Sequence, residues 1–295
     1  MRTCALLTVI ALAAACAGPQ KKEISLTSEP SIERALDTLA SVSEGRKLLE
    51  FLYKNPVLFE YSNSPGLCCK FSLKTGKIFL PAEFRGSDTL LALILGRAAY
   101  VYRLHAESGF EEIIAEEEET AALFQARMGL ELNLLNSDFA GKKFAGGIKT
   151  DFCIYILDGS RHAAQAARAL ALSQDADCQR PLETLQDQRV WLEKTRQAIS
   201  DETFFQLLYD RDQQKVRKGL ISQFEAMKND ANIRAIPTAE IYRFQRALYS
   251  TQSDIFSRFE KTYREALQND EAWRTANAGA IQRAREEFSA CNMKE

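Results

Sequence analysis

The stretch Leu90–Leu130, LLALILGRAAYVYRLHAESGFEEIIAEEEETAALFQARMGL, constrains this chain more than any other. Ser87-Asp88 supplies a cap for a strongly apolar helix over about 88–104, carrying Leu90, Leu91, Ile94, Leu95, Ala98, Val101 and Tyr102. Gly109 interrupts it, and a second helix is expected over about 110–136. The acidic run Glu111–Glu119 sits inside that helical pattern rather than in the spaced, glycine-turned loop that calcium needs. It reads as a solvated face, with Glu111 and Glu112 placed to complement a helix N-terminus.

Ahead of this stretch, Ile32, Leu36, Leu39 and Ala40 share one helical face, and Leu48, Leu49 and Leu52 another. Ser41-Val42-Ser43-Glu44 has the form of a capping box between the two helices, and Asn55-Pro56 ends the second. Three strand-like runs follow, Val57–Tyr61, Leu67–Leu73 and Lys77–Leu80, separated by Asn63-Ser64-Pro65-Gly66 and Lys74-Thr75-Gly76. A small antiparallel sheet is the expected arrangement. Residues 141–150, with three glycines, read as a linker, and everything after it as helical. There, Ile241, Phe244, Leu248, Ile255, Phe259, Tyr263 and Leu267 form one core-facing stripe. Phe204, Leu208, Val216, Leu220 and Phe224 form a second.

Within the first helix, Leu91-Ala92-Leu93-Ile94-Leu95-Gly96-Arg97-Ala98 resembles the L-A-H-E-L-G-H-A helix of the zincin metallopeptidases. About 20 residues on, Glu118-Glu119-Thr120-Ala121 looks like the E-x-x-A helix that carries the family's third zinc ligand. The likeness covers roughly residues 30–135. It implies a zincin-like domain in which Leu93 and Arg97 stand where the two histidines would be, Ile94 where the general base would be, and Glu118 at the third ligand. Leucine and isoleucine neither bind a metal nor move a proton. The mature chain keeps only His105 and His162, neither with a second histidine one turn away, so an H-E-x-x-H site cannot be assembled. The resemblance therefore implies a pseudo-metallopeptidase without zinc or another cofactor. It also suggests that Arg97 pairs with Glu118 and replaces the metal's positive charge. His105 reads as a polar residue at a helix end and His162 as a surface residue.

The N-terminus carries Arg2, then the apolar run Cys4–Ala15 of 12 residues, too short to span a bilayer. Leu12-Ala13-Ala14-Ala15-Cys16 resembles the lipobox of bacterial lipoproteins, although the usual leucine three residues before the cysteine is Ala13. The likeness implies cleavage before Cys16, lipidation of Cys16, and anchorage in the cell envelope, with Ala17 pointing to the outer membrane facing the periplasm. Cys68, Cys69, Cys153, Cys178 and Cys291 remain for at most two disulfides in a compartment that permits them. Net charge is −2 with scattered basic residues, which gives no electrostatic case for nucleic acid.

The expected class is α+β: a signal at 1–15, a polar tether at 16–30, a degenerate zincin-like domain at 31–140, a linker at 141–150 and a helical region at 151–295. The expected role is non-catalytic, an envelope-anchored scaffold or a binder of an envelope protein or peptide. The competing readings are a hydrolase with an unrelated active site and a purely structural helical lipoprotein. The cluster Asp158-Gly159-Ser160-Arg161-His162 holds triad residue types but lacks a G-x-S-x-G frame.

Overall fold

The computed structural model describes residues 25–62, 70–72, 76–110, 114–142, 145–172, 183–237 and 240–289. Helices α1 (Pro30–Ala40) and α2 (Ser43–Lys54) form an N-terminal pair. The strands β1 (Leu58–Tyr61), β2 (Lys70–Ser72) and β3 (Lys77–Leu80) follow, then α3 (Asp88–Ser108) and α4 (Ala115–Glu131). Beyond these lie α5 (Gly146–Leu157), α6 (Ser160–Leu172), α7 (Leu185–Ser200), α8 (Phe204–Arg217), α9 (Gln223–Arg234), α10 (Ile241–Ala276) and α11 (Ala278–Glu287).

The molecule is mostly helical, and this overturns the expected zincin-like α+β domain built on an antiparallel sheet. The three short strands pair in the order β1-β3-β2, with β1 parallel to β3 and only β2 antiparallel to it. Strand alternation is a period of two and says which face is buried; it does not say which strand lies beside which. Phe59, Tyr61, Ile78 and Leu80 face inward, as the alternation requires. The outer edge of β1 is covered, because the Phe59 amide donates to the Leu26 carbonyl at 2.8 Å. The Thr27 hydroxyl also donates to the Phe59 carbonyl at 3.0 Å.

The core is organised round α3 and α4. Ser87 caps α3, its side chain accepting from the Leu90 amide, and Gly109 ends it in the left-handed conformation at φ 74°. Gly96 allows α4 to lie close: a Cβ there would sit 2.2 Å from Met128 Cε. Next to this approach Tyr100 stacks on Phe124 with ring centroids 4.5 Å apart. On α4, 15 of 17 residues are buried, so this helix is enclosed on every side.

The boundary between the two expected regions is crossed by one core. The stretch read as a linker is helical from Gly146, and α5 buries Phe152 and Tyr155. Phe259 of α10 packs on Phe110, with centroids 4.8 Å apart, and Phe288 packs on Phe152 at 5.2 Å. Of the two C-terminal stripes, the first faces inward, with Phe259 buried and Tyr263 and Leu267 packed against the core. The second turns outward at its end: Phe204 is buried, whereas Leu220 and Phe224 are exposed. The capping box at Ser41 does not form. The N-cap of α2 is Val42, with no side-chain cap bond. Glu131 from α4 takes over, accepting from the Ser43 hydroxyl at 2.9 Å and the Glu44 amide at 3.1 Å.

Candidate functional site

The first turn of α4 sets Glu116, Glu117, Glu118 and Glu119 in succession. Consecutive helical residues point about 100° apart, so four adjacent carboxylates leave a central helix in four directions. The sequence-based expectation of a solvated face is wrong here, because Glu116, Glu117 and Glu119 are buried; Glu111–Ile113 lie outside the described residues. Burying carboxylates is costly unless each finds a partner, and each does.

Glu118 meets Arg97 of α3. Arg97 Nη2 donates to Glu118 Oε2 at 2.6 Å and Nε to the same oxygen at 3.2 Å. The expected Arg97–Glu118 pair is therefore present. It belongs to a larger cluster, in which Arg97 Nη1 donates to Gln125 Oε1 at 3.0 Å and to Asp151 Oδ2 at 3.3 Å. Gln125 in turn donates to the Leu93 carbonyl at 3.3 Å. Leu93 and Ile94, at the other positions of the zincin likeness, are buried. Burial works to lower the Arg97 pKa, but Glu118 and Asp151 outweigh it and hold the guanidinium charged, above its ordinary value. Asp151 is raised by burial, which Arg97 only partly offsets.

Glu117 and His105 form a pair that the sequence did not reveal. His105 reads as a helix-end residue, yet both side chains are 0 % exposed, with Nε2 and Oε2 2.7 Å apart. His105 Nδ1 bonds the Phe110 carbonyl. The second Glu117 oxygen, Oε1, is buried without a hydrogen-bond partner among the described residues. Burial pushes the Glu117 carboxyl up to about 7, against the pull of His105. For His105, burial works downward, but the bonds to Glu117 and Phe110 bring its pKa above the usual value.

This pair predicts a pH dependence. Both groups hold protons more tightly in the folded chain than in the unfolded one. The stability they contribute is fully present below the unfolded carboxyl value and is lost as pH rises through about 7. The shift at Glu117 corresponds to about 3 kcal/mol. Urea unfolding at about pH 4.5 and about pH 9 should show a larger loss for the wild type than for Glu117→Gln, which stays neutral throughout. Equal losses in the two proteins would refute it.

Glu116 and Glu119 face the C-terminal helices. Glu116 accepts from the Leu185 amide at 3.0 Å and pairs with Arg168 at 3.2 Å. Glu119 pairs with Arg168 at 3.4 Å and accepts from the Tyr263 hydroxyl at 2.6 Å. A further buried hub lies at Asp270 of α10, which accepts from Arg127 at 3.3 Å, Tyr155 at 3.2 Å and Ser160 at 2.5 Å. Ser160 is thus turned to a carboxylate, while exposed His162 bonds the Asp158 carbonyl at 3.0 Å, so the two do not form a nucleophile–base pair.

No protein-family model, curated protein or solved structure matches this chain.

Among the described residues, no group of three His, Cys, Asp or Glu side chains could hold a metal ion, and no helix is long and apolar enough to cross a membrane. Cys153 is disulfide-bonded. The other cysteines, Cys16 included, lie outside the described residues. Of the missed residues, Gln125 left a signal, seven positions after Glu118 and so on the same helical face. Asp151 and Asp270 left none, since nothing local distinguishes them from the chain's many other carboxylates.

Proposed function

We propose that this chain is a lipid-anchored envelope protein that performs no catalysis and acts as a scaffold. Its leader is cut before Cys16, and the helical body is held at the outer membrane on the periplasmic side. The observation that supports the loss of zinc chemistry is the Arg97–Glu118–Asp151–Gln125 cluster, and the anchor rests on the lipobox likeness of Leu12–Cys16. On the zincin likeness, the charged Arg97 and its counter-ions would stand in for the lost metal, and the burial of Leu93 and Ile94 beside it is in keeping with that. On this reading the zincin likeness is confined to the α3–α4 pair. The covered edge of β1 leaves that side of the sheet closed to the addition of an extended peptide strand. The disulfide at Cys153 supports an oxidising compartment.

Two measurements on the protein purified from a bacterial envelope test this. A clickable palmitate analogue should label the wild type and fail to label Cys16→Ser, and elemental analysis should find zinc well below one equivalent. Stoichiometric zinc would overturn the non-catalytic reading. Absence of label would overturn the anchor.

A further inference from the structure

The hairpin formed by α8 and α9 leaves large apolar side chains in water at its tip. Phe224 is 76 % exposed, Met227 63 % and Leu220 40 %. Ala226 is the residue of α9 turned inward, and Phe224 and Met227, three positions apart, share the outer face. These side chains sit on a firm support. Ser222 and Glu225 form a reciprocal cap at the start of α9, and Asn229 donates to Asp212 of α8 at 3.0 Å. Their exposure follows from the placement of a well-formed hairpin.

The charges round the tip have one dominant sign. Arg217, Lys218 and Lys228 are exposed beside the apolar residues. Within residues 217–228 the one carboxylate is Glu225, engaged by the amide and hydroxyl of Ser222. Within that segment three cations stand against one anion, on a chain whose formal charge is −2. Lys218 is partly offset by Glu183 at 3.6 Å, which leaves Arg217 and Lys228 as the main positive charge of the segment. Apolar side chains ringed by lysine and arginine match the boundary of an anionic bilayer, where hydrocarbon and phosphate lie within a few ångströms of each other.

We propose that this tip is a membrane-docking surface. Leu220, Phe224 and Met227 enter the headgroup–acyl boundary of an anionic phospholipid bilayer, and Arg217, Lys218 and Lys228 meet the lipid phosphates. The docking rests on the lipid-anchor reading for its supply of bilayer, but its contacts are separate from the anchor. Each cation brought to such a surface contributes about fivefold in affinity, and high salt weakens that part.

Amide hydrogen exchange of the full chain, with vesicles added, tests the docking whether or not Cys16 carries lipid. Exchange across residues 217–228 should slow about tenfold on phosphatidylethanolamine–phosphatidylglycerol vesicles relative to phosphatidylcholine vesicles. Exchange over α2, whose Tyr53 is also exposed, should not change. The double variant Phe224→Ser/Met227→Ser should lose the slowing while α4 exchanges as in the wild type, showing that the fold is intact. Equal exchange on the two vesicle types would overturn the proposal, as would protection that persists in the double variant. Slowing that requires added envelope proteins and is absent with lipid alone would also overturn it, in favour of a protein partner. Failure of the palmitate labelling would count against the anchor and leave this result standing.

Discussion

Replacing Arg97 with alanine should destabilise the folded chain by about 3 kcal/mol. The change removes the cation that faces both Glu118 and Asp151 and orphans a bond to Gln125. Side-chain exposures of 20 % for Arg97, 30 % for Glu118 and 17 % for Asp151 let some water reach the cluster, which sets the loss at the lower end of the buried range. Arg97→Lys should fall between, because an ammonium cannot span Glu118, Gln125 and Asp151 with a planar fork. Adding Glu118→Gln and Asp151→Asn to Arg97→Met should recover much of the loss by removing the stranded charges. Urea unfolding measures all of these. A loss below about 1 kcal/mol for Arg97→Ala would mean that the cluster is a surface ion pair in effect, and would count against the proposal that Arg97 stands in for a lost metal.

Asp270→Ala is expected to be at least as damaging, at about 3–5 kcal/mol. Asp270 is 0 % exposed and is the shared acceptor for Arg127, Tyr155 and Ser160. Without it, Arg127 keeps Glu44 at 3.3 Å as an ion partner, but its Nε is already buried without a hydrogen bond among the described residues. Asp270→Asn should be milder, since the amide oxygen still accepts from Tyr155 or Ser160. The damage should be directional. Hydrogen exchange should show the C-terminal half of α10 loosening from α4 and α5 before α1 and α2 are affected. Uniform loosening, or a loss within about 1 kcal/mol, would show that apolar packing at Phe256 and Phe259 holds this helix by itself.

Much of the helical frame was legible because its signals are local. Ser87 before an apolar run, Gly109 after it and Asn55-Pro56 at the end of α2 act within a turn or two of themselves, and each operates where it was read. Strand positions were readable for the same reason. Pairing was not, because β3 inserts between β1 and β2, and hydrophobic alternation is the same whichever neighbour a strand takes. The Ser41–Glu44 cap failed against a competitor that is remote in sequence: Glu131 supplies a charged acceptor, and Glu44 is drawn to Arg127. Phe224 shows the opposite error. Its spacing fits a core stripe, yet it is 76 % exposed.

The Leu90–Leu130 stretch divides along the same line. By residue identity and position alone, the sequence determined that no pair of histidines one turn apart exists, and that Leu93 and Ile94 can neither ligate nor transfer protons. It also placed a cation and a carboxylate, Arg97 and Glu118, where two helices could bring them together. The tertiary structure decided the rest. Of four glutamates that look solvated in one dimension, Glu116, Glu117 and Glu119 are buried because α4 is enclosed by the surrounding helices, and Glu118 is half-buried; their partners come from α3 (Arg97, His105) and from the C-terminal helices (Arg168, Tyr263). Burial belongs to the assembled chain, and the partner that makes a buried charge tolerable stands 12 residues away for Glu117 and 144 for Glu119. No local pattern carries that information, because the cost of an unpaired carboxylate arises only when neighbouring elements have displaced the water around it.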